Sequence, residues 1–503
     1  MSEPFYITTA ISYPNGPPHI GHAYEAIAAD AIARFQRQQG RDVRFQTGTD
    51  EHGLKMAQAA RGEGVEPRAF ADKMSLLFQE MCDTLNVSYD RFIRTSQPDH
   101  YRASQAIWKA MEERGDLYLD RYEGWYSVRD EAYYEPEELV SAEDGSKLSP
   151  QGTPVEWTVE ESWFFRLSKY QQPLLDHYAA NLEFIMPESR RNEVVRFVEG
   201  GLKDLSISRT SFDWGVPVPG SNNHVMYVWL DALTNYITGL GYPDDTELWR
   251  RDWPANVHLI GKDVVRFHAV YWPAFLMSAG IELPKQIYGH GFLLSRGEKM
   301  SKSVGNVVDP MVLADRFGVD ALRYFLLREV PFGQDGSYSA EAIVNRANAE
   351  LANSFGNLAQ RTLSMIYKNL GGVLPAPGEA GADRELLAVV EEASRKDVPE
   401  AFERLAFSVG IEAWLRAVFA CNAYVDTQAP WTLRKTDPER MAAVLGTLVA
   451  AVRELTRAIA PIIPDSADKL LTLIDAGEGG APIPQPTPLF PRLELPEDEE
   501  AAA

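Results

Sequence analysis

Residues Ser12–His22 constrain this chain more than any other stretch, because they end a strand and open a helix. Before them, Phe5–Ala10 is short and rich in β-branched and aromatic residues, whereas Ala23–Phe35 repeats apolar residues at helical spacing. The turn between carries Pro14, Asn15, Gly16, Pro17 and Pro18 and is stiff, and Gly21 removes a side chain where a flat ligand can lie against the helix start. His19 and His22 stand three apart. A helix puts both imidazoles on one side, at the end where free N–H groups and the macrodipole favour negative charge. A phosphate chain suits that end; helix capping by the same two side chains is the competing reading.

Two lysines far downstream supply a counterpart. Lys299–Ser303 follows Arg296 and Gly297 and precedes Gly305 and Asn306, so Lys299 and Lys302 ride on a loop free to move. Alone, such a loop is an ordinary solvated basic turn. The two stretches together resemble the paired signature of class I aminoacyl-tRNA synthetases, and from about Phe5 to the Pro-rich segment near Pro486 the chain resembles the methionyl-tRNA synthetases. The resemblance implies that L-methionine is activated by ATP to methionyl-adenylate and passed to tRNA(Met), initiator tRNA included.

A chain of 503 residues is too long for one core and predicts about two to four domains. The net charge of −23 argues against a generic nucleic-acid binder, so no DNA partner is expected and positive charge for tRNA must be local. Met1–Tyr6 lacks a basic start before an apolar run, and the most apolar long helix, Met441–Ala460, is interrupted by Arg453, Glu454 and Arg457. Neither a secretory signal nor a membrane span is expected, and the cytoplasm is the default. The two cysteines, Cys82 and Cys421, sit in helical patterns without partners at metal-ligand spacing and read as buried small hydrophobes. Many methionyl-tRNA synthetases carry Cys-rich zinc knuckles after the first catalytic half; the matching stretch here, Trp125–Tyr134, has no cysteine. No structural zinc is expected, and no metal-ligating residues are assigned.

Taken in order, Arg41–Asp50 reads as a second strand that ends in a glycine-containing loop at Thr47–Gly53, at the sheet edge where ligands bind in doubly wound folds. Phe70, Met74, Leu77, Met81 and Leu85 form an apolar helical stripe. From Leu117 to Asp204, strand-like pieces alternate with acidic and Gly/Pro turns, a small mixed insertion. The parallel sheet is expected to resume at Asp204–Arg209, with further crossings at Met226–Tyr236 and His258–His268 and a strand at Lys285–Leu294. The expected fold class is α/β: a Rossmann-like parallel-sheet catalytic domain split by the insertion, then an α-helical bundle that the resemblance makes the anticodon-binding domain. The boundaries are 1–116 and 205–308 for the catalytic halves, 117–204 for the insertion, 309–339 for a linking region and 340–485 for the bundle. An acidic tail, 486–503, is expected to be disordered. Core stripes of the bundle are Leu351, Phe355 and Leu358; Ile411, Trp414, Leu415 and Val418; and Leu445, Leu448, Val449, Val452, Leu455 and Ile459.

Activation needs no protein nucleophile, only in-line placement and preorganised positive groups around the phosphates. His19, His22, Lys299 and Lys302 are the candidates, with Lys302 the more sensitive lysine, and Mg²⁺ is expected with the nucleotide. The resemblance assigns Gly21, Lys262, Asp263, His290, Gly291, Met300, Ser301 and Ser303 to the ATP site. A thioether offers almost no hydrogen bond, so methionine must be selected by shape and by aromatic rings around sulfur. Tyr13, Trp229, Tyr236 and Trp272, with Ile11, Ala232, Val264 and His268 filling gaps, have that chemistry, although both tryptophans read equally as core. The resemblance matches these positions to the family's pocket, with Leu233 where some members have proline, and sets Asp50 near the amino group; from spacing alone, Asp50 caps a helix. In the bundle, Asn357 and Arg361 share a helix face, and Pro430 stops a helix and presents Trp431 beyond it. A stop proline with a packing Trp is the plain account; the resemblance makes these four the readers of the CAU anticodon.

Two rival readings are a small adenylyltransferase, which leaves the bundle idle, and an inactive synthetase-like RNA-binding protein, which the intact histidines and lysines disfavour. With no appended OB-like or dimerising domain in view after Ala481, a monomer is expected.

Overall fold

Strand Pro4–Thr9 is the seam of a six-stranded sheet whose order is Arg91–Arg94, Asp42–Thr49, Pro4–Thr9, Val257–Gly261, Ile287–His290, Ile185–Met186, every neighbouring pair parallel. Ile7 lies opposite Phe45 on one side and Val257 on the other. Phe5–Thr9 are all buried, as a strand covered on both faces requires. The strand order reverses between Pro4–Thr9 and Val257–Gly261, so the carboxyl ends of these two strands open a crevice of the kind in which doubly wound sheets bind ligands. This computed structural model describes residues 2–130, 132–142, 144–295, 298–299 and 307–495, with residues 122, 160, 295, 298 and 299 described by their backbone alone.

The chain divides into two compact units: Met1–Pro18, Gly40–Asp83 and Ser88–His290 form one, and His19–Gln39, Thr84–Val87 and Gly291–Ala503 the other. In the first unit, helices Pro98–Glu113, Val228–Thr238 and Trp272–Ala279 join the sheet in one large core that includes Tyr6, Trp108, Tyr236 and Trp272. The insertion is a four-stranded antiparallel sheet in which Glu156–Phe165 runs beside Leu117–Ser127, flanked by Ala132–Tyr134 and Leu205–Ser206.

Three stretches depart from expectation, among them the start of Met226–Tyr236, whose strand Val225–Met226 lies outside the parallel sheet in a two-stranded one. Asp204–Arg209 does not resume the parallel sheet: Leu205–Ser206 pairs antiparallel with Glu156–Phe165, and Ser208–Arg209 pairs antiparallel with Val225–Met226. Alternating Leu205 and Ile207 specify a strand but not its partner. The sixth parallel strand is instead Ile185–Met186, two residues inside the stretch assigned to the insertion and too short to leave a period of its own.

In the second unit, helix Ile20–Gln38 is buried along most of its length, the small side chains of Ala26, Ala28, Ala29, Ala31 and Ala33 allowing close approach. The stretch expected to link, 309–339, is itself helices Pro310–Phe317 and Val319–Glu329 followed by strand Gly336–Tyr338. Arg323, wholly buried, donates from Nε to Ile462 O (3.0 Å), from Nη1 to Leu85 O (3.1 Å) and from Nη2 to both Pro461 O (3.0 Å) and the Asp30 carboxylate. One guanidinium thus gathers four chain segments of this unit. Beyond Tyr338 the chain is mostly helical, and Leu351, Phe355, Leu358, Ile411, Trp414, Leu415, Val418 and the stripe from Leu445 to Ile459 are buried as their spacing requires. Cys82 and Cys421 are buried free thiols. No helix among the described residues is long and apolar enough to cross a membrane.

Candidate active site

The first helical turn of Ile20–Gln38 is built from its own two histidines. His19 is the N-cap, and its Nδ1 accepts the Gly21 N–H at 3.1 Å; His22 Nδ1 accepts the His19 N–H at 3.1 Å, completing a reciprocal box. The rings lie 3.8 Å apart at 32°. Capping is therefore realised, and it has a chemical consequence: with both Nδ1 atoms accepting, the ring proton of each imidazole sits on Nε2. Gly21 is needed here because a Cβ would come within 2.9 Å of the His19 ring, so the missing side chain makes room for the imidazole itself.

Ile20 N–H donates to Val308 O at 2.9 Å. The residue after His19 is thus bonded to the chain that leaves the lysine loop. Lys302, Met300, Ser301 and Ser303 lie outside the described residues, as does the side chain of Lys299, whose backbone pairs antiparallel with Leu294.

In the first unit, the segments after three adjacent parallel strands carry Ile11 and Tyr13, Asp50, and Lys262, Asp263 and Val264. Ser12 N–H donates to Gly48 O and Asp50 N–H to Ser12 O, both at 2.9 Å, so the first two segments stay laced past their strands. The loop after Asp50 is held residue by residue. Glu51 accepts from Arg94 Nε (2.7 Å), Thr49 Oγ1 (2.8 Å) and Ser96 Oγ, His52 takes part in a buried cluster, and Gly53, at φ 102°, donates to Trp214 O (3.0 Å). That cluster joins His52 Nδ1 to Asp231 Oδ2 and His100 Nε2 to Asp231 Oδ1, each at 2.7 Å. Burial raises the Asp231 carboxyl, but the charge of His52 and the hydrogen bonds of both imidazoles outweigh it and hold it at about 2.

Helix Val228–Thr238 presents Trp229, Ala232, Leu233 and Tyr236 at helical spacing; Ala232, Leu233 and Tyr236 are buried and Trp229 is half-buried. Trp229 stacks on Phe267 at 3.8 Å and 5°, and its edge meets His268. His268 Nδ1 lies 2.9 Å from Val264 O, an obligatory acceptor, so Nδ1 holds the proton and Nε2 accepts from the Tyr236 hydroxyl at 2.6 Å. Burial lowers His268 to about 4 and His258 well below its ordinary value. Tyr236 lies on His258 at 4.1 Å, and Trp272 Nε1–H points at His258 Nε2 at 3.3 Å. The result is an aromatic wall in which the Tyr236 hydroxyl, the His268 N–H and the Trp272 N–H each have an acceptor within the protein, suited to a soft, uncharged side chain. Among the other expected residues, His290 is buried at the end of its strand, Lys262 is half-buried and Asp263 exposed, while Gly291 packs against Gln334.

In the helical region, Phe407–Gln428 ends at Ala429 in the left-handed conformation, and Pro430 opens helix Pro430–Thr436. Trp431 stays 45% exposed, and the Arg361 guanidinium lies 5.4 Å over its ring. Asn357 is exposed one turn before Arg361 on helix Asn357–Asn369. The half-open indole thus carries a guanidinium over one face, itself 3.8 Å from the Asp426 carboxylate, and an exposed aromatic ring of this kind can stack a base.

Two family models match: tRNA synthetases class I (M) over residues 5–363, and the anticodon binding domain of methionyl tRNA ligase over residues 374–486. The chain belongs to the methionyl-tRNA synthetases. It is 58% identical over 505 residues to the methionine–tRNA ligase of Brucella suis biovar 1, covering 97% of this chain and 98% of that one. The Mycobacterium tuberculosis methionyl-tRNA synthetase in complex with methionyl-adenylate matches with a TM-score of 0.94 at 56% identity, over 97% of this chain and 100% of that one. The apo form from the same organism matches with a TM-score of 0.88 and 52% identity over 99% of each. For a member of this family, the sequence reading left out Phe267, His258 and the His52–Asp231–His100 cluster. Phe267 was within reach, since it adjoins His268; the cluster joins residues up to 179 positions apart and has no local pattern.

Proposed function

We propose that the chain joins L-methionine to tRNA(Met), initiator tRNA included, in the family's two steps. The methionine carboxylate attacks the α-phosphorus of ATP and pyrophosphate leaves; the 3′ end of the tRNA then takes the methionyl group and AMP leaves. The observation that carries this reading is the Ile20–Val308 bond, which ties the histidine turn to the lysine-loop segment at one point. In this reading His19 and His22 offer Nε2–H groups to the phosphates, Lys299 and Lys302 bring positive charge to the leaving pyrophosphate, and Gly21, Lys262, Asp263, His290, Gly291, Met300, Ser301 and Ser303 form the rest of the nucleotide site. Donors fixed before the reaction need no reorganisation as charge builds on phosphate oxygens.

The methionine side chain lies against Trp229, Tyr236, His268 and Trp272, with Ile11, Tyr13, Ala232, Leu233 and Val264 around it and Asp50 at the amino group. The neutral aromatic wall and the buried Asp50 support that orientation. Asn357, Arg361, Pro430 and Trp431 read the anticodon. Among the described residues no group of three or more His, Cys, Asp or Glu side chains could hold a metal ion, so Mg²⁺ enters this reading with the triphosphate, as part of the substrate. The chain works as a cytoplasmic monomer, with catalytic halves 1–116 and 205–308, insertion 117–204, linking region 309–339 and bundle 340–485.

ATP–pyrophosphate exchange with single amino acids tests the reading. Methionine alone should drive it; exchange driven equally by leucine or valine would discard the aromatic pocket.

A further inference from the structure

His52 is tied to three neighbours by different atoms. Its Nδ1 lies 2.7 Å from Asp231 Oδ2, its Nε2 lies 2.9 Å from Tyr101 OH, and its carbonyl oxygen accepts the Tyr13 hydroxyl at 2.8 Å. The ring also meets Trp214 edge to face at 5.3 Å, and Trp214 Nε1–H donates to the carbonyl of Glu51. Asp231 does not face the aromatic wall. With Thr234 and Thr238 it stands at i, i+3 and i+7, a second stripe of helix Val228–Thr238 beside the one carrying Trp229, Ala232, Leu233 and Tyr236. On that stripe Thr238 Oγ1 gives its proton to Thr234 O (3.0 Å) and so accepts from His100 Nδ1 (3.0 Å), while His100 Nε2 donates to Asp231. Both nitrogens of His100 are thus engaged, with Ser104 Oγ also 3.2 Å from Nε2.

A buried carboxylate between two imidazoles gains little over an apolar packing of equal volume, since desolvation offsets most of the attraction. What it supplies is geometry: fixed partners, fixed distances and one orientation for each ring. Here the geometry runs between two sides of one pocket. Tyr13 and Asp50 come from the segments laced to the His52 loop, and Trp229 and Tyr236 from the helix that Asp231 anchors.

We infer that His52 is a positioning residue for methionine: its ring fixes the spacing between the Tyr13–Asp50 side and the Trp229–Tyr236 helix, and thereby sets methionine affinity and the discrimination against side chains of other lengths. The inference rests on the reading that these residues bind methionine. His52 is remote from the phosphate chemistry in this role, so its loss weakens amino-acid binding and leaves nucleotide binding intact.

The test is ATP–pyrophosphate exchange by the full chain carrying His52→Ala, His52→Asn or Tyr101→Phe, with methionine and ATP titrated separately and norleucine as the competing substrate. His52→Ala should raise the methionine KM by about tenfold or more with the ATP KM within about twofold, and should narrow the methionine-to-norleucine ratio of kcat/KM. His52→Asn, whose amide can still donate to Asp231, should recover most of the methionine KM. Tyr101→Phe removes only the far hydroxyl and should raise the methionine KM by about threefold. An unchanged methionine KM in His52→Ala, or equal changes in both KM values with no recovery in His52→Asn, overturns the inference. If His52→Ala does not fold, Tyr101→Phe decides: a methionine KM at the wild-type value overturns it and a raised one upholds it. Wild-type protein in which methionine drives no exchange would instead refute the pocket reading beneath it.

Discussion

Arg323 Nη2 and Asp30 Oδ2 meet at 2.6 Å with neither side chain exposed to water. Asp30 also accepts Arg34 Nε at 2.7 Å, so the carboxylate inside the histidine-bearing helix is matched by two guanidinium groups. Arg323→Ala leaves Asp30 with Arg34 alone and takes the donor from the buried carbonyls of Leu85, Pro461 and Ile462, a loss of about 1–3 kcal/mol for each group left unsatisfied. Arg323→Ala should lower the urea midpoint of unfolding accordingly. Arg323→Lys, which keeps the charge but cannot reach four acceptors at once, should fall between; equal midpoints for all three proteins would remove the clamp from the account of stability.

The acid limb of stability has a defined sign. His268 and Asp231 hold folded values of about 4 and about 2, below their ordinary 6.5 and 3.8, so the unfolded chain binds more protons as pH falls. Stability from His268 is complete above pH 6.5 and declines as pH falls through about 4, a loss of about 3 kcal/mol. That from Asp231 declines further as pH falls from 3.8 through about 2. Thermal unfolding followed from pH 8 to 4 should show the first decline, and His268→Gln should make it shallower, leaving the part that the buried His258 contributes, with the slope above pH 6.5 unchanged.

Gly21→Ala places a methyl group against the His19 ring. The ring must rotate away, the capping bond to Gly21 N–H weakens, and the Nε2 proton is re-aimed. A loss of about 1 kcal/mol in stability is expected with a disproportionate fall in kcat for exchange, about a hundredfold, because phosphate stabilisation depends on donor placement. A kcat within twofold of wild type would return His19 to a purely capping role.

Trp431→Ala removes the exposed indole while the helix begun by Pro430 remains. Base stacking on an aromatic ring contributes about 1–3 kcal/mol, so tRNA charging should fall by about tenfold or more while methionine-dependent exchange holds steady. Parallel loss of both activities would contradict the separation of anticodon reading from activation.

The elements with a strong period were legible in the sequence. Phe5–Ala10 became Pro4–Thr9, Arg41–Asp50 became Asp42–Thr49, and the apolar stripes of the bundle are buried where their spacing put them. Pairing was not legible: Leu205–Ser206 and Ile185–Met186 are each two residues long, and which strand they join is decided by tertiary contacts. The shared helix of Trp229 and Tyr236 was legible from their spacing, whereas their assignment to methionine came from the resemblance alone. Partnerships across 131 and 179 residues, such as His100 and His52 with Asp231, arise only when the chain is folded.

The hydroxyl of Tyr236 is committed to His268, and the His268 proton to Val264. An incoming alcohol or amide would have to break one of these links to find a mate for its own polar atom, whereas a hydrocarbon or sulfide chain asks for nothing. Misincorporation by this chain should therefore be dominated by greasy mimics, with side chains that add a hydroxyl turned away by about a hundredfold in kcat/KM.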